Sequence, residues 1–388
     1  MANAKHLRVG VIGCGNISTA YFRLAPLFRG IEIVACADLK PALAEAQAKK
    51  FGLKSMSVEA LIAAPDIDIV VNLTIPSAHH GVSKAVLDAG KHVYSEKPFV
   101  LSLKDGLDLK RRAEKKGLRI GSAPDTFLGG AHQLARHLVD AGAVGRITSG
   151  SCHVMNHGME HWHPDPTFFY ALGGGPVLDL GPYYIANLVQ LIGPVRRVAA
   201  LAATPQSERK IISKPRAGQT VKVDTPTTLL ALLEFGSGAA ITFSASWDVW
   251  SHGHAPIELY GEKGSLFVPD PNFFGGEVRY TAAEKPVKRM PAWKHPFAVA
   301  NEESPHGPLA NYRASGLADM AQAIIEDRPH RCSLELAIHV IEVMTAILKS
   351  GETGRFVTMT TSCERPAALD PSSAKQLLVK AGSSRKAA

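Results

Sequence analysis

Two kinds of run alternate along the first 120 or so residues. Leu7-Arg8-Val9-Gly10-Val11-Ile12, Ile31 to Ala37, Ile67 to Leu73, His92 to Ser95 and Arg119 to Ser122 are short and mostly apolar, without a polar face. That is the pattern of strands buried on both sides. Longer amphipathic stretches separate them. One runs from a glycine-rich turn to about Phe28, and one is opened by Pro41 and ended by Gly52. Ser77 to Ala89 is closed by Gly90, and Ser102 caps a stretch to Lys116 that stops at Gly117. Strands alternating with helices predict an α/β unit with a parallel sheet and right-handed crossovers.

From about Pro124 the pattern changes. A helix over about 130–141 leads into a strand, Ile147 to Asn156, then a histidine-rich loop and a helix opened by Pro176. Longer strands follow, joined by tight turns. Thr228 to Phe235 and Ala239 to Trp247 flank Gly236-Ser237-Gly238, and Ile257 to Tyr260 and Ser265 to Val268 flank Gly261-Glu262-Lys263-Gly264. Both read as hairpins. Helical patterns over Tyr312 to Glu326 and Ser333 to Ser350 close the region. The organisation predicted is an α/β domain with a parallel sheet over 1–124, an α+β domain with a largely antiparallel sheet over 125–364, and a small, polar, basic tail over 365–388 expected to be disordered.

Composition narrows this little. A chain of 388 residues exceeds one ordinary core, so two domains are the default. No apolar run is long enough for a bilayer, and no signal-peptide pattern precedes the first strand. The five cysteines, Cys14, Cys36, Cys152, Cys332 and Cys363, are scattered, as expected of reduced thiols in a cytoplasm. The formal charge of +8 forms no basic run interleaved with aromatics, which argues against nucleic acid; it helps draw an anionic cofactor or substrate.

The chemistry gathers in three stretches expected to face one cleft. Gly13-Cys14-Gly15-Asn16-Ile17-Ser18 lies between strand and helix, where backbone N–H groups approach a pyrophosphate. The third glycine of that fingerprint is Ser18 here. Asp38, about 25 residues after Gly13 at a strand end, is placed to hold ribose hydroxyls and to repel a 2′-phosphate, which favours NAD over NADP. Tyr94-Ser95-Glu96-Lys97-Pro98 ends a strand with a lysine beside a carboxylate. Gly173 to Tyr183 carries Asp179 and Tyr183, four residues apart and so on one helix face.

These stretches, with Thr74-Ile75-Pro76-Ser77-Ala78-His79-His80 between them, occur in the order and spacing of the glucose–fructose oxidoreductase/inositol dehydrogenase (Gfo/Idh/MocA) family, which the chain resembles along nearly its whole length. The resemblance implies a Rossmann domain followed by an open-sheet domain that also mediates oligomerisation, a homo-oligomer, and NAD(P)-dependent oxidation of a sugar or polyol hydroxyl. By position it implies Gly13, Gly15, Asn16 and Ile17 on the pyrophosphate. Thr74, Pro76 and His79 fall along the nicotinamide side, Glu96 and Lys97 flank nicotinamide and reacting hydroxyl, and Asp179 meets the substrate. Many members carry a histidine where this chain has Tyr183; others carry tyrosine. Lys97 is then the base or base-activator, its pKa lowered by burial and by the cationic nicotinamide, with Tyr183 passing a proton or orienting the hydroxyl.

His153, His157, His161 and His163 invite a metal, but their spacing fits helix or strand faces only in part, and the expectation is none. The loop Asn156 to Pro166 is expected to lie over the substrate instead, with His161, Trp162 and His163 on a sugar. Asp125, at the domain junction, is a further candidate of that kind. Two other readings stay open: an NAD-recycling glycoside-cleaving enzyme, and a non-catalytic NAD- and sugar-binding regulator.

Overall fold

The computed structural model describes residues 6–291, 293–305 and 307–379. The chain divides into two compact units. The first comprises residues 1–130, 294–338 and 366–388, and the second 131–293 and 339–365.

The first unit begins with six strands, β1 (Leu7–Ile12), β2 (Ile31–Ala37), β3 (Lys54–Met56), β4 (Ile69–Asn72), β5 (His92–Ser95) and β6 (Ile120–Ser122), all parallel in the order β3-β2-β1-β4-β5-β6. The apolar runs make the middle of the sheet because both faces are covered: Val9, Val11, Ile69, Val70, Val71, Val93 and Tyr94 have no exposed surface. Between them run α1 (Asn16–Leu24), α2 (Pro41–Phe51), α3 (Val58–Ala63), α4 (His79–Asp88) and α5 (Leu103–Lys116). The expected punctuation is present. Ser102 accepts the Asp105 N–H at the start of α5, and Gly52 and Gly117 end α2 and α5 at φ of 68° and 63°. The hydrophobic pattern had not revealed β3 and α3. Strand β3 is three residues long with no buried residue, and α3 presents one fully buried side chain, Leu61, so neither has the apolar repeat that marks an element.

The second unit contains α6 (Gly130–Asp140, whose first residue belongs to the first unit), β7 (Ile147–Met155), α7 (Thr167–Tyr170), α8 (Pro176–Ile192) and β8 (Val195–Ala203). Next come a small hairpin, β9 (Glu208–Lys210) with β10 (Thr220–Lys222), then β11 (Thr228–Phe235), β12 (Ala240–Ser246), β13 (Ile257–Gly261), β14 (Gly264–Val268), β15 (Arg279–Ala282) and β16 (Lys288–Arg289). Both predicted hairpins form, and the sheet is antiparallel except where β12 runs parallel to β7. Strand β11 alternates strictly: Leu229, Ala231, Leu233 and Phe235 are buried, while Leu230 and Leu232 are half exposed. The buried face packs on α8, in which only Asp179 and Leu180 escape full burial. Met159, Phe169, Tyr170, Ile211, Val221, Val223 and Trp247 form a separate small core. It seats the histidine-rich loop on the β9–β10 hairpin.

The chain then returns to the first unit with a two-stranded ribbon, β17 (Glu302–Ser304) with β18 (Gly307–Leu309), and α9 (Ser315–Glu326). Helix α10 (Leu334–Thr353) passes from one unit to the other, β19 (Val357–Thr358) joins β8 at the edge of the larger sheet, and α11 (Pro371–Leu377) ends in the first unit. The simple boundary at residue 124 therefore does not describe the first unit. Nor is 365–379 a disordered tail. Asp370 caps α11, Leu369, Ala374 and Leu377 are buried, and the Arg29 N–H donates to the Leu377 carbonyl at 2.8 Å. Residues 380–388 lie outside those described. Among the described residues, no helix is long and apolar enough to cross a membrane.

Candidate active site

Four turns leave the C-terminal ends of β1, β2, β4 and β5, which are neighbours in the first sheet. The chain runs outward from β1 through β2 to β3, then resumes on the other side of β1 with β4. That reversal is where open α/β sheets form a ligand crevice.

At the end of β1, Gly13 has φ of 102°, and a Cβ there would lie 2.5 Å from the Leu73 carbonyl oxygen, so the fold itself demands glycine. Gly15 is different. It has an ordinary φ of −75°, and a Cβ on it would meet no protein atom within 4 Å. The chain's own packing gives no reason for glycine there; a backbone that must let a ligand close does. Gly15 is also the N-cap of α1, no side chain caps the helix, and the exposed Asn16 and half-buried Ile17 follow it. Ser18 fits in place of the third glycine because its buried hydroxyl folds back onto the turn, donating to the Gly15 carbonyl at 2.6 Å.

After β2, the two carboxylate oxygens of Asp38 each accept one backbone N–H, from Cys14 and from Lys40, both at 2.8 Å. Asp38 thus ties the end of β2 to the glycine-rich turn and keeps lone pairs for a further donor. It lines a depression of about 440 Å3 together with Leu39, Pro41, Glu45, Ser55, Met56, Ser57, Val58 and Glu59. Three of these residues are acidic and none is basic. The glycine-rich turn and this depression fit an NAD-type dinucleotide.

After β4, the buried Asn72 organises the turn. Its amide donates to the His79 carbonyl at 3.0 Å and to Ser83 Oγ at 3.1 Å, and its oxygen accepts from the Thr74 hydroxyl at 2.7 Å. Pro76 opens a short 3-10 turn before α4. The His79 ring is 1 % exposed, with Nδ1 2.7 Å from the Pro98 carbonyl and Nε2 2.9 Å from the Thr74 carbonyl. It braces one turn against the next instead of offering a free ring to a ligand.

After β5, Glu96 is buried. Its Oε1 accepts from Tyr21 Oη at 3.2 Å and pairs with Arg313 Nη1 at 3.4 Å, and its Oε2 accepts the Lys97 N–H at 2.8 Å. The half-buried Lys97 is thus held through its backbone by a carboxylate with three partners. Tyr21 and Arg313 were not legible in the sequence, the second being 217 residues from its partner. Asp125 requires a correction. It is fully buried, and its Oδ2 accepts from the Gly316 N–H at 3.1 Å and the Ser315 hydroxyl at 3.3 Å, in the first turn of α9. It holds that helix N-terminus in place of a substrate, and burial pushes its carboxyl above the usual range.

In the second unit, Gly175, at φ of 89°, and Pro176 open α8, as the sequence predicts. Asp179 stands half-buried in the first turn and Tyr183, 5 % exposed, one turn later. In the histidine-rich loop the ring of Trp162 is exposed, and His163 Nδ1 accepts the Asp165 N–H at 3.1 Å. His153 stacks on His254, centroids 4.0 Å apart, away from the other three histidines in its contacts. His157, Glu160 and His161 come together, with one potential ligand atom from each within 4.8 Å of the others. Glu160 had gone unnoticed in the sequence, although His157-x-x-Glu160-His161 marks it. The buried carboxylate is paired with Arg209 Nη1 at 2.8 Å and hydrogen-bonded by Tyr170, and Arg209 also pairs with Asp248.

Comparison with known proteins agrees with this geometry. Residues 7–123 match the oxidoreductase family, NAD-binding Rossmann fold, and residues 132–267 match the GFO/IDH/MocA C-terminal domain. The dTDP-3,4-didehydro-2,6-dideoxy-alpha-D-glucose 3-reductase of Streptomyces violaceoruber is 31% identical over 267 residues, 67% of this chain and 72% of that one. Levoglucosan dehydrogenase of Pseudarthrobacter phenanthrenivorans is 25% identical over 293 residues, 68% and 73% of the two chains. A structure of levoglucosan dehydrogenase in complex with NADH superposes with a TM-score of 0.77 at 22% identity, over 92% of this chain and all of that one, which shows a shared fold. With a dinucleotide-type crevice on one unit, a mixed open sheet in the other and both halves matching in order, the chain belongs to the Gfo/Idh/MocA family of oxidoreductases, with an NAD-binding Rossmann domain.

Proposed function

We propose that the protein is an NAD-dependent dehydrogenase that oxidises a hydroxyl of a sugar, glycoside, anhydrosugar or polyol. The observation that carries the reading is Lys97, held by a buried carboxylate at the same sheet edge as the glycine-rich turn and Asp38. The sugar substrates named for the relatives support the choice of substrate class.

NAD, when bound, supplies the hydride acceptor. Gly13, Gly15, Asn16 and Ile17 hold its pyrophosphate, Asp38 its ribose hydroxyls, and Thr74, Pro76, Glu96 and Lys97 border the nicotinamide side. The acidic lining beside Asp38 disfavours a 2′-phosphate, hence NAD over NADP. Lys97 Nζ takes up the hydroxyl proton, directly or through Tyr183, while the Glu96–Arg313–Tyr21 set keeps the lysine's backbone in place. Asp179 and Tyr183, on one face of α8, accept from and orient substrate hydroxyls; Trp162 and His163 offer an apolar ring face and an imidazole to a sugar.

The test is an NAD+-reduction screen over inositols, pentoses, hexoses, anhydrosugars and methyl glycosides, followed at 340 nm. Turnover of at least one class is expected. NAD binding with a flat trace across the panel refutes the dehydrogenase reading, and release of an aglycone without net NADH identifies a glycoside-cleaving enzyme instead.

A further inference from the structure

His157 Nδ1 and His161 Nε2 are both buried and have no hydrogen-bond partner. An orphaned buried nitrogen costs about 1–3 kcal/mol, so two in one loop need an explanation. They flank a carboxylate. His161 Nε2 lies 3.8 Å from Glu160 Oε1, beyond hydrogen-bond range but within the separation of two atoms that share one ion at about 2.1 Å each. Tetrahedral ligands about 2.1 Å from an ion lie about 3.4 Å apart, so the widest separation permitted by the 4.8 Å envelope needs closing by about 1.4 Å.

The surroundings are those of a supported ligand set. Tyr170 and Arg209 fix the Glu160 carboxylate, and Trp250 stacks on the His157 ring with an interplanar angle of 15°. Gly158, at φ of 87°, leaves no room for a side chain: a Cβ there would lie 2.2 Å from Tyr170 Oη and 2.4 Å from Glu160 Oε2. Glu160 and Asp248 together outweigh the one guanidinium between them, leaving a net negative charge to receive a cation. The His161 side chain is 31% exposed, which gives an ion a way in.

We propose that His157, Glu160 and His161 form a binding site for one divalent transition-metal ion of the zinc class, with an open coordination position. Two imidazoles and a carboxylate are nitrogen–oxygen ligands suited to Zn2+, Co2+ or Ni2+ and unsuited to Mg2+ or Ca2+, which take oxygen. The proposal departs from the expectation that the loop histidines hold no metal, and it does not depend on the substrate proposed above.

The experiment is titration of the full, untagged chain with Zn2+ against a chromophoric chelator, and with Co2+ followed by visible absorption and proton NMR. One equivalent is expected to bind, with hyperfine-shifted exchangeable signals from two imidazoles. His157→Ala and His161→Ala each weaken binding at least tenfold, whereas His252→Ala and His254→Ala, on the neighbouring histidine cluster, leave it unchanged. Glu160→Gln is left out because it also breaks the Arg209 pair. No saturable binding of Zn2+ or Co2+ by the wild-type chain overturns the proposal. So does binding that survives both loop substitutions. If those variants fail to fold, the NMR count on the wild-type protein decides: signals from fewer than two imidazoles refute the site.

Discussion

Gly15→Ala separates the ligand's requirements from the fold's. The methyl group enters space in which no protein atom lies within 4 Å, at φ of −75° and ψ of −166°, which alanine adopts without strain. Alanine is a poorer N-cap than glycine by roughly 0.5–1 kcal/mol, and the loss of unfolded-state entropy returns about 0.4–1 kcal/mol. The two offset, so stability should stay within about 1 kcal/mol of wild type. If a pyrophosphate closes on this turn, the same methyl overpacks the contact by about 1–3 kcal/mol, and NADH binding weakens roughly 5- to 150-fold. Gly13→Ala is the contrast. Its φ of 102° and a Cβ 2.5 Å from a backbone oxygen force the main chain to move, for a loss of about 2–4 kcal/mol whatever is bound. Thermal melts and fluorescence titration with NADH read both quantities on both variants. Wild-type NADH affinity in a well-folded Gly15→Ala protein would refute the placement of the pyrophosphate. A loss of stability in Gly15→Ala equal to that of Gly13→Ala would refute the packing argument.

Lys97→Ala should leave folding and NADH binding nearly intact and lower kcat by about 10²–10⁴; Lys97→Arg should not restore it, because a guanidinium cannot take up the proton. Near-wild-type turnover of Lys97→Ala in a steady-state assay leaves the lysine without a chemical role. Asp38→Ser should cost roughly tenfold or more in kcat/KM with NAD+ and narrow the preference over NADP+; a wild type that uses NADP+ as well as NAD+ contradicts the assignment. Asp125 has a raised folded-state pKa, so the unfolded chain releases its proton first and stability falls as pH rises above about 4, through the folded value. Asp125→Asn should flatten that decline in melts between pH 4 and 7; an unchanged slope means that Asp125 does not cause it.

What the sequence made legible was local. Buried strands, helix ends at Gly52 and Gly117, Pro176 at the start of α8 and both hairpins follow from period, punctuation and turn chemistry, which act over a few residues. What it concealed was long-range pairing. Nothing near Arg313 announces that it will meet Glu96, and Asp125 looked like a substrate ligand because Gly316 and Ser315, its actual partners, lie about 190 residues away. The tail read as solvated because its composition is small and polar, yet three well-spaced apolar residues, Leu369, Ala374 and Leu377, suffice to dock it. The resemblance puts His79 along the nicotinamide side; that its ring bridges two carbonyls, of Pro98 and Thr74, was not legible in the sequence.

The first unit is assembled from three stretches of chain, with residues 131–293 of the second unit threaded between the first and second of them and residues 339–365 between the second and third. During synthesis, the ribosome delivers the six-stranded sheet first but withholds α9, which packs against β6 and meets Asp125, until more than 300 residues have been made. The N-terminal 130 residues by themselves would leave Asp125's partners in α9 missing and the β6 side of the sheet without that helix. A nascent chain must therefore hold the β6 side of that sheet uncovered while residues 131–293 are made, and the first unit is completed only when α11, the last helix among the described residues, emerges.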